Sequence, residues 1–517
     1  MSDDGARGVF AALFPSGAGL QRCFLRTDTG RELRYAEALE QSAAMAHLLN
    51  SVGVRAGDRV AVQVEKSPEA VLLYLATLRA GAVYLPLNSA YTAAELEYFL
   101  ADAEPALFVC APERAAVLEP LAKRLGVPAV LTLGACGEGT VSDGARAFAS
   151  EFETVARAPD DLAAILYTSG TTGRSKGAML TQRNLISNAR TLAAVWQFST
   201  ADVLLHALPI FHIHGLFVAI NVTLAAGSRL LFLPRFDVDL VLRHLPGASV
   251  MMGVPTFYVR LLKDARLNRE LACGCRVFIS GSAPLLVETH QEWQRRTGQM
   301  ILERYGMSET GMNSSNPYDG ERVPGTVGLP LPGVELRIID TRSGAIVPTG
   351  EIGMIEISGP NVFCGYWRQP EKTRAEFRDD GFFITGDLGR IDTRGYLTIV
   401  GRSKDLVISG GYNIYPKEIE SEIDLLPGIT ESAVFGVPHP DFGEGVTAVV
   451  VRAAAAPPLS EAEALAALRV RLAAYKLPKR VIFVEDLPRN SMGKVEKKLL
   501  RERYAGLYHD RGAVSGE

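Results

Sequence analysis

The chain has little cysteine, little net charge and no long apolar run, and each shortage removes a class of protein. Six cysteines in 517 residues (Cys23, Cys110, Cys136, Cys273, Cys275 and Cys364) are too few for a disulfide-stapled secreted scaffold. Only Cys273 and Cys275 lie close together, and their spacing is not that of a C-x-x-C metal site. The thiols therefore read as free side chains in a reducing compartment. A formal net charge of −4, with dispersed basic residues, offers no general attraction to nucleic acid or anionic lipid. The longest mostly apolar stretch, Val71 to Leu78, is cut by Arg79 far short of a membrane span. The start, Met1-Ser2-Asp3-Asp4-Gly5, is acidic and lacks the charged-then-apolar plan of a signal peptide. A cytoplasmic protein with neither a nucleic-acid nor a membrane partner is expected.

What is present is material for more than one domain and a large core. Between residues 32 and 160 helical and strand-like patterns alternate. Tyr35 to Leu49 carries apolar residues at helical spacing, Arg59 to Val64 reads as a strand, and Pro68 to Ala80 reads as a helix. Val83 to Asn88 and Ala106 to Cys110 are further short strands, and Ala145 to Ala158 is a surface connection. Alternation of this kind predicts β-α units around a mostly parallel sheet, an α/β fold.

The centre of the chain is Tyr167-Thr168-Ser169-Gly170-Thr171-Thr172-Gly173-Arg174-Ser175-Lys176-Gly177. It follows the apolar strand Leu162 to Leu166 and precedes a helical pattern opening near Asn184. A loop so rich in glycine and hydroxyls presents N–H groups around a concave space, and Lys176 adds a cation, which is the chemistry of a phosphate cradle. No Gly-Lys-Ser/Thr closes it, so it is not the loop of a P-loop NTPase.

Further on, Leu208-Pro209-Ile210-Phe211-His212-Ile213-His214-Gly215 offers two histidines but no cluster to complete a metal site. A pocket role is favoured for His212, while His214 reads equally well as an ordinary packed or surface histidine. The strand Val277 to Ser280 ends in the turn Gly281-Ser282-Ala283-Pro284. Leu302 to Thr310 then brings Tyr305, Gly306, Ser308 and Glu309 together, a set suited to a stacked purine and a phosphate-bound magnesium ion. Gly381 to Asp387 places an acid at a strand–turn boundary, where it could accept two ribose hydroxyls. Gly395 to Asp405 follows as a hairpin strand and charged turn. From Lys404 the character changes to a compact α+β unit, with helices at Ile419 to Ile423 and Glu461 to Ala474 and strands at Ala433 to Val437 and Val446 to Val451. Ala453 to Pro458 reads as a loop. Near the end, Pro488 to Lys494 is a turn holding a single exposed lysine.

The phosphate loop, Tyr305-Gly306-Met307-Ser308-Glu309, Thr385-Gly386-Asp387, Gly401-Arg402-x-Lys404-Asp405 and Gly493-Lys494 occur in an order that resembles the adenylate-forming acyl-CoA synthetase superfamily. Within it the chain is most similar to malonyl-CoA synthetases, and the likeness spans roughly residues 30 to 505. The resemblance implies a large multi-subdomain N-terminal domain, residues 1–403, and a small mobile C-terminal domain, residues 404–517, hinged near Lys404. It implies the cofactors and co-substrates ATP, Mg²⁺ and coenzyme A, with a carboxylate first adenylated and then passed to the thiol.

By position, the resemblance gives Thr168, Ser169, Gly170, Thr171, Thr172, Gly173 and Lys176 to the β- and γ-phosphates. Ser282, Ala283, Gly306 and Ser308 join them around the nucleotide, Tyr305 stacks on adenine, and Asp387 and Arg402 take the ribose. Glu309 and Thr168 hold Mg²⁺, and Lys494 reaches the reacting oxygens during adenylation. Ser409, Gly410, Gly411 and Tyr412 line the pantetheine tunnel. The acyl pocket falls to Arg304, Ser282, His212 and, more weakly, Arg235.

Many relatives carry a second glycine at Ser282 and a small residue at Arg304. A guanidinium there is wasted on an apolar acid but suits a second carboxylate. The expected substrate is malonate, with methylmalonate next. A ligase for another short or aromatic acid, and an enzyme that loads a carrier protein, stay open as alternatives. An exposed Lys494 also invites a lysine acetyltransferase, which would remove its charge.

Overall fold

The computed structural model describes residues 8–168, 175–409, 412–453, 459–490 and 493–508. These fall into two compact units. One is drawn from Met1–Pro324, Gly328–Glu335 and Ile357–Phe383, the other from Gly325–Val327, Leu336–Glu356 and Ile384–Glu517. Lys404 lies inside the second unit, in the tight turn Ser403–Asp405. Among the described residues no helix is long and apolar enough to cross a membrane.

The first unit holds the expected β-α alternation in two sheets. A six-stranded sheet runs in the order Ala129–Thr132, Leu107–Cys110, Arg59–Gln63, Val83–Pro86, Leu162–Thr168, Lys176–Thr181. Its first five strands are parallel. Their apolar residues, among them Ala61, Leu85, Phe108 and Ile165, close a core with Leu96, Phe99 and Leu118 from the covering helices. Strands buried on both faces read as continuous apolar runs, which is why these were visible in the sequence.

The last strand was not expected. A strand–loop–helix passage was read around the phosphate loop, whereas Lys176–Thr181 first pairs antiparallel with Leu162–Thr168, Thr168 opposite Lys176. Thr181 then caps the helix Gln182–Val195 by accepting a hydrogen bond from the Asn184 N–H. The pairing of the two flanking strands sets Thr168 and Lys176 against each other.

The nine-stranded sheet has the order Leu329–Pro330, Gly311–Ser315, Ile301–Met307, Val277–Ser280, Val250–Gly253, Val203–His206, Arg229–Phe232, Cys23–Thr27, Glu32–Arg34. The strands from Ile301–Met307 to Cys23–Thr27 are parallel, so their carboxyl ends emerge along one edge. Crevices at such ends are where open α/β sheets bind ligands. His206, Ser280 and Arg304 all sit there. Beneath them the helix Val287–Thr297 packs by Trp293, fully buried and edge-on to Tyr258 and Phe278 with ring centroids 4.9 Å apart.

The second unit contains a four-stranded sheet, Glu335–Ile339, Gly353–Ser358, Phe383–Ile391, Leu397–Arg402. Asp387 was expected at a strand–turn boundary, but it lies inside Phe383–Ile391, opposite Arg402. Gly386, with φ of 73°, bends the strand beside it, and that glycine is what made the segment look like a turn. The remainder is α+β. Strands Ile429–His439 and Gly443–Arg452 pair over ten positions, and helices Pro416–Asp424 and Glu461–Arg469 bury Ile419, Ile423 and Leu468 against Val434, Val446 and Val450. The second helix stops five residues short of the expected Ala474.

Trp293 anchors the helix beneath the Val277–Ser280 and Ile301–Met307 strands. Trp293→Ala should cost about 3–5 kcal/mol of stability by leaving a large cavity. Urea denaturation followed by far-UV circular dichroism checks this; an unchanged midpoint would show that the aromatic cluster does not hold the helix down.

Candidate functional site

Two polar clusters form at the carboxyl edges of the sheets in the first unit. The first is built around Arg304. Along Ile301–Met307 successive side chains face opposite ways. Glu303 turns toward the helix Val287–Thr297 and meets His290, Oε1 to Nδ1 3.3 Å. Arg304 turns the other way, so it does not pair with its neighbour. It is 3% exposed, and its Nε and Nη2 find no hydrogen-bond partner among the described residues. Burial holds its guanidinium down at about 9, and the one nearby group that opposes this is the Tyr258 hydroxyl, not a carboxylate. A buried cation left this way costs several kcal/mol until an anion answers it.

The residues around it make room without neutralising it. A Cβ at Gly281 would sit 2.4 Å from the Arg304 Cζ, so only glycine admits the guanidinium. Ser282 holds φ at 72°, a left-handed conformation that a serine takes at a cost and that marks a functional site. Its hydroxyl lies 3.3 Å from Nδ1 of His214, whose own main-chain N–H donates to Nδ1 of His212 at 3.2 Å. Burial, and then the Arg304 charge, keep both imidazoles neutral, His212 at about 4 and His214 well below its usual range. Nε2 of the fully buried His214 has no partner among the described residues. Arg304 and three neutral donors or acceptors thus converge with no acid among them. Arg235 is exposed in the bend after Arg229–Phe232, with no ion pair among the described residues.

Sequence reasoning missed the support of this cluster. Nζ of Lys66, which burial holds well below the usual lysine range, donates to Nδ1 and to the carbonyl of His206, both at 2.8 Å, and Nε2 of His206 donates to the Gly215 carbonyl at 2.7 Å. The His206 ring is thereby fixed in one tautomer and ties down the π-helical turn His214–Ile220. Lys66 and His206 are 140 residues apart, so no spacing pattern could have linked them.

The second cluster gathers at Thr168 and Lys176, the described ends of the phosphate loop. Ser169, Gly170, Thr171, Thr172 and Gly173 lie outside the described residues. At its ends, the Thr168 hydroxyl is 3.4 Å from Oε1 of Glu309, and Lys176 Nζ is 2.9 Å from Oε1 of Glu376. Tyr366, also missed, reaches both carboxylates, 2.6 Å to Glu376 and 3.2 Å to Glu309. Glu309 is 7% exposed, in the turn after Ile301–Met307 that also carries Ser308, while Gly306 and the buried Tyr305 lie on the strand itself. Gly306 is required there, because a Cβ would meet the Gly311 carbonyl at 2.2 Å. Ala283 follows Ser282 in the turn below. Among the described residues no three His, Cys, Asp or Glu side chains converge. One buried carboxylate and a hydroxyl fit Mg²⁺, which takes few protein ligands and shares the rest with phosphate.

In the second unit, Asp387 accepts from Arg402 Nε at 2.7 Å, with the carboxylate 5% exposed. Lys494 follows Gly493, whose φ is 73°, in a turn closed by a hydrogen bond from the Asn490 N–H to the Lys494 carbonyl, 2.9 Å. The residue is exposed along its length, yet enclosure of its ammonium and the Arg402 charge hold it down at about 8. The same two causes lower Lys404, with Asp405 opposing. Ser409 is buried and pairs with Tyr412, which is 56% exposed and stacks on Tyr475 at 4.7 Å. Gly410 and Gly411 lie outside the described residues.

Comparison with known proteins identifies the family of the chain. The family profile described as AMP-binding enzyme matches residues 18–367, and that of the AMP-binding enzyme C-terminal domain matches residues 418–494. A malonate–CoA ligase of Arabidopsis thaliana is 34% identical over 533 residues, covering 96% of this chain and 85% of the relative. A long-chain-fatty-acid–CoA ligase of Bacillus subtilis is 33% identical over 519 residues, covering 93% and 91%, so identity at this level does not distinguish acids. The crystal structure of ATP-bound MatB from Rhodopseudomonas palustris superposes with a TM-score of 0.95 at 57% identity, covering 97% of this chain and all of that one. The chain belongs to the AMP-binding enzyme family.

Proposed function

We propose that the protein is an acid–thiol ligase that joins malonate to coenzyme A through malonyl-adenylate, releasing AMP and pyrophosphate, with methylmalonate as a second substrate. The observation that carries this reading is the buried Arg304 guanidinium, with two donors open, over Gly281 and beside Ser282. A fatty or aryl tail would leave that charge unanswered. A second carboxylate pairs with it through charge-assisted hydrogen bonds, aided by Ser282 and His212. Arg235 is the weaker candidate, reaching the pocket only if its exposed side chain turns inward. Relatives named malonate–CoA ligase, at 34% and 36% identity over most of the chain, support the same substrate class.

In the first half-reaction a malonate carboxylate oxygen attacks the α-phosphorus of ATP, and the bond to the bridging oxygen breaks as pyrophosphate leaves. The chain's work is positioning and electrostatics. The loop residues 168–173 and Lys176 hold the β- and γ-phosphates, and Ser282, Ala283, Gly306 and Ser308 line the nucleotide. Tyr305 stacks on adenine, while Asp387 and Arg402 take the ribose. Glu309 and Thr168 would hold Mg²⁺, which offsets phosphate charge. Lys494 neutralises charge on the reacting oxygens. In the second half-reaction the coenzyme A thiolate attacks the acyl carbon and AMP leaves. Residues 404–517 turn as a body about Lys404 to bring Ser409, Gly410, Gly411 and Tyr412 to the pantetheine arm. The low net charge and the six free cysteines support a cytoplasmic setting.

Pyrophosphate release with Mg-ATP should be confined to malonate and methylmalonate among a panel that includes succinate, acetate, butyrate and benzoate. Arg304→Ala should cut kcat/KM for malonate at least about a hundredfold, and Gly281→Ala, which pushes the guanidinium aside, should do nearly as much while ATP binding holds. Activity with acetate or benzoate that survives Arg304→Ala would overturn the malonate reading.

Lys494 supplies a pH signature. Its ammonium is the useful form and sits at about 8 rather than 10.5, so kcat/KM for adenylation should fall as pH rises through about 8. Lys494→Arg should move that limb upward by more than a unit, and a limb common to both proteins would assign it elsewhere. Acetylation of Lys494 by a lysine acetyltransferase removes the same charge. Stoichiometric acetylation should stop pyrophosphate release yet spare thioester formation from added malonyl-adenylate, and loss of both would argue against an adenylation-only role.

A further inference from the structure

Lys176, read above as a ligand of the triphosphate, is not waiting with an open charge. Its ammonium is 2.9 Å from Glu376 and lies over the Tyr366 ring at 4.6 Å. Glu376 also meets Lys372 at 2.8 Å and accepts the Tyr366 hydroxyl at 2.6 Å. Burial works against its charge, but hydrogen bonds from Lys372, Tyr366 and Lys176 prevail and hold its carboxyl below the usual range. Lys176 is 12% and Glu376 21% exposed by side chain, so water screens the pair only in part.

Tyr366 has one proton and two carboxylate neighbours. The shorter contact assigns that proton to Glu376, which fixes Glu376 whether or not Lys176 is there. The anion at this end of the loop is therefore built in. It is held by Tyr366 and Lys372 and offered to Lys176, which the hairpin pins opposite Thr168.

We propose that Glu376 is the resting partner of Lys176, which a β,γ-phosphate must displace, so that Glu376 sets the discrimination between ATP and AMP. A nucleoside triphosphate exchanges one anion for another at the lysine and also meets the repulsion of the displaced carboxylate. A monophosphate, lacking the β- and γ-groups, does neither. When AMP remains after catalysis, Lys176 returns to Glu376 and the triphosphate end of the site closes electrostatically. This inference rests on the assignment of Lys176 to the β- and γ-phosphates.

Isothermal titration of the full-length protein with Mg-ATP and with AMP, in the absence of acid substrate, tests it. Glu376→Gln should tighten Mg-ATP about fivefold, as expected for removal of one partly exposed ion pair, and leave AMP within twofold. Glu376→Asp, which draws the carboxylate back by one methylene, should tighten it about twofold and covers the case in which the amide variant folds poorly. In a Lys176→Met background, Glu376→Gln should change Mg-ATP binding less than twofold. Weaker Mg-ATP binding by Glu376→Gln would overturn the proposal, making Glu376 a support that the lysine needs, and so would a parallel shift for AMP. The underlying assignment fails separately: Lys176→Met that leaves the ratio of ATP to AMP affinity unchanged would show that the lysine never reaches the triphosphate.

Discussion

A guanidinium buried without an answering carboxylate is the constraint on which the rest of the molecule depends. Holding Arg304 charged in the protein interior costs several kcal/mol, and among the described residues no carboxylate offsets it, the Tyr258 hydroxyl alone opposing the effect of burial. The fold bears that cost at the carboxyl edge of a sheet whose strands are held from below by a dense aromatic cluster around Trp293. Each neighbour is chosen so as not to relieve it. Gly281 has no side chain, Ser282 takes a strained backbone to stay in the turn, and His212 and His214 are kept neutral.

The charged residues assigned to the nucleotide follow the opposite rule, each within its own unit. Lys176 rests on Glu376, and in the second unit Arg402 rests on Asp387. The Lys176–Glu376 pair is partly exposed, whereas the Asp387 carboxylate is buried beneath the half-exposed Arg402. Both pairs keep the groups ionised and in place, and they can be exchanged for phosphate or ribose oxygens at small cost. The acyl cluster is therefore selective because its charge is unmatched, and the nucleotide cluster is exchangeable because its charges are matched.

Much of this was legible in the sequence, for identifiable reasons. Strands buried on both faces, such as Leu107–Cys110 and Val277–Ser280, announce themselves as short apolar runs, and their alternation with helices fixed the α/β class. Arg304 stood out because many relatives carry a small residue at that position. What stayed hidden depends on pairing across distance. Lys176–Thr181 opens with Lys-Gly and reads as the tail of a loop until its partner strand is seen. Asp387 looked like a turn residue because Gly386 bends a continuous strand. Tyr366 and Glu376 meet Lys176 from about two hundred residues away, and Lys66 meets His206 from 140, separations that carry no local signal.

The strand Ile301–Met307 has one more consequence. Glu303 and Arg304 are consecutive, yet one serves the packing beneath the sheet and the other the pocket above it. Because the two faces share only the backbone, substitutions on the pocket side can be sampled without disturbing the core, and core changes need not retune the pocket. A lineage can thus exchange its acid substrate by altering position 304 while the Glu303–His290 contact on the opposite face of the strand is kept. That separation gives a physical basis for relatives of nearly equal identity to this chain that carry the names of different acids.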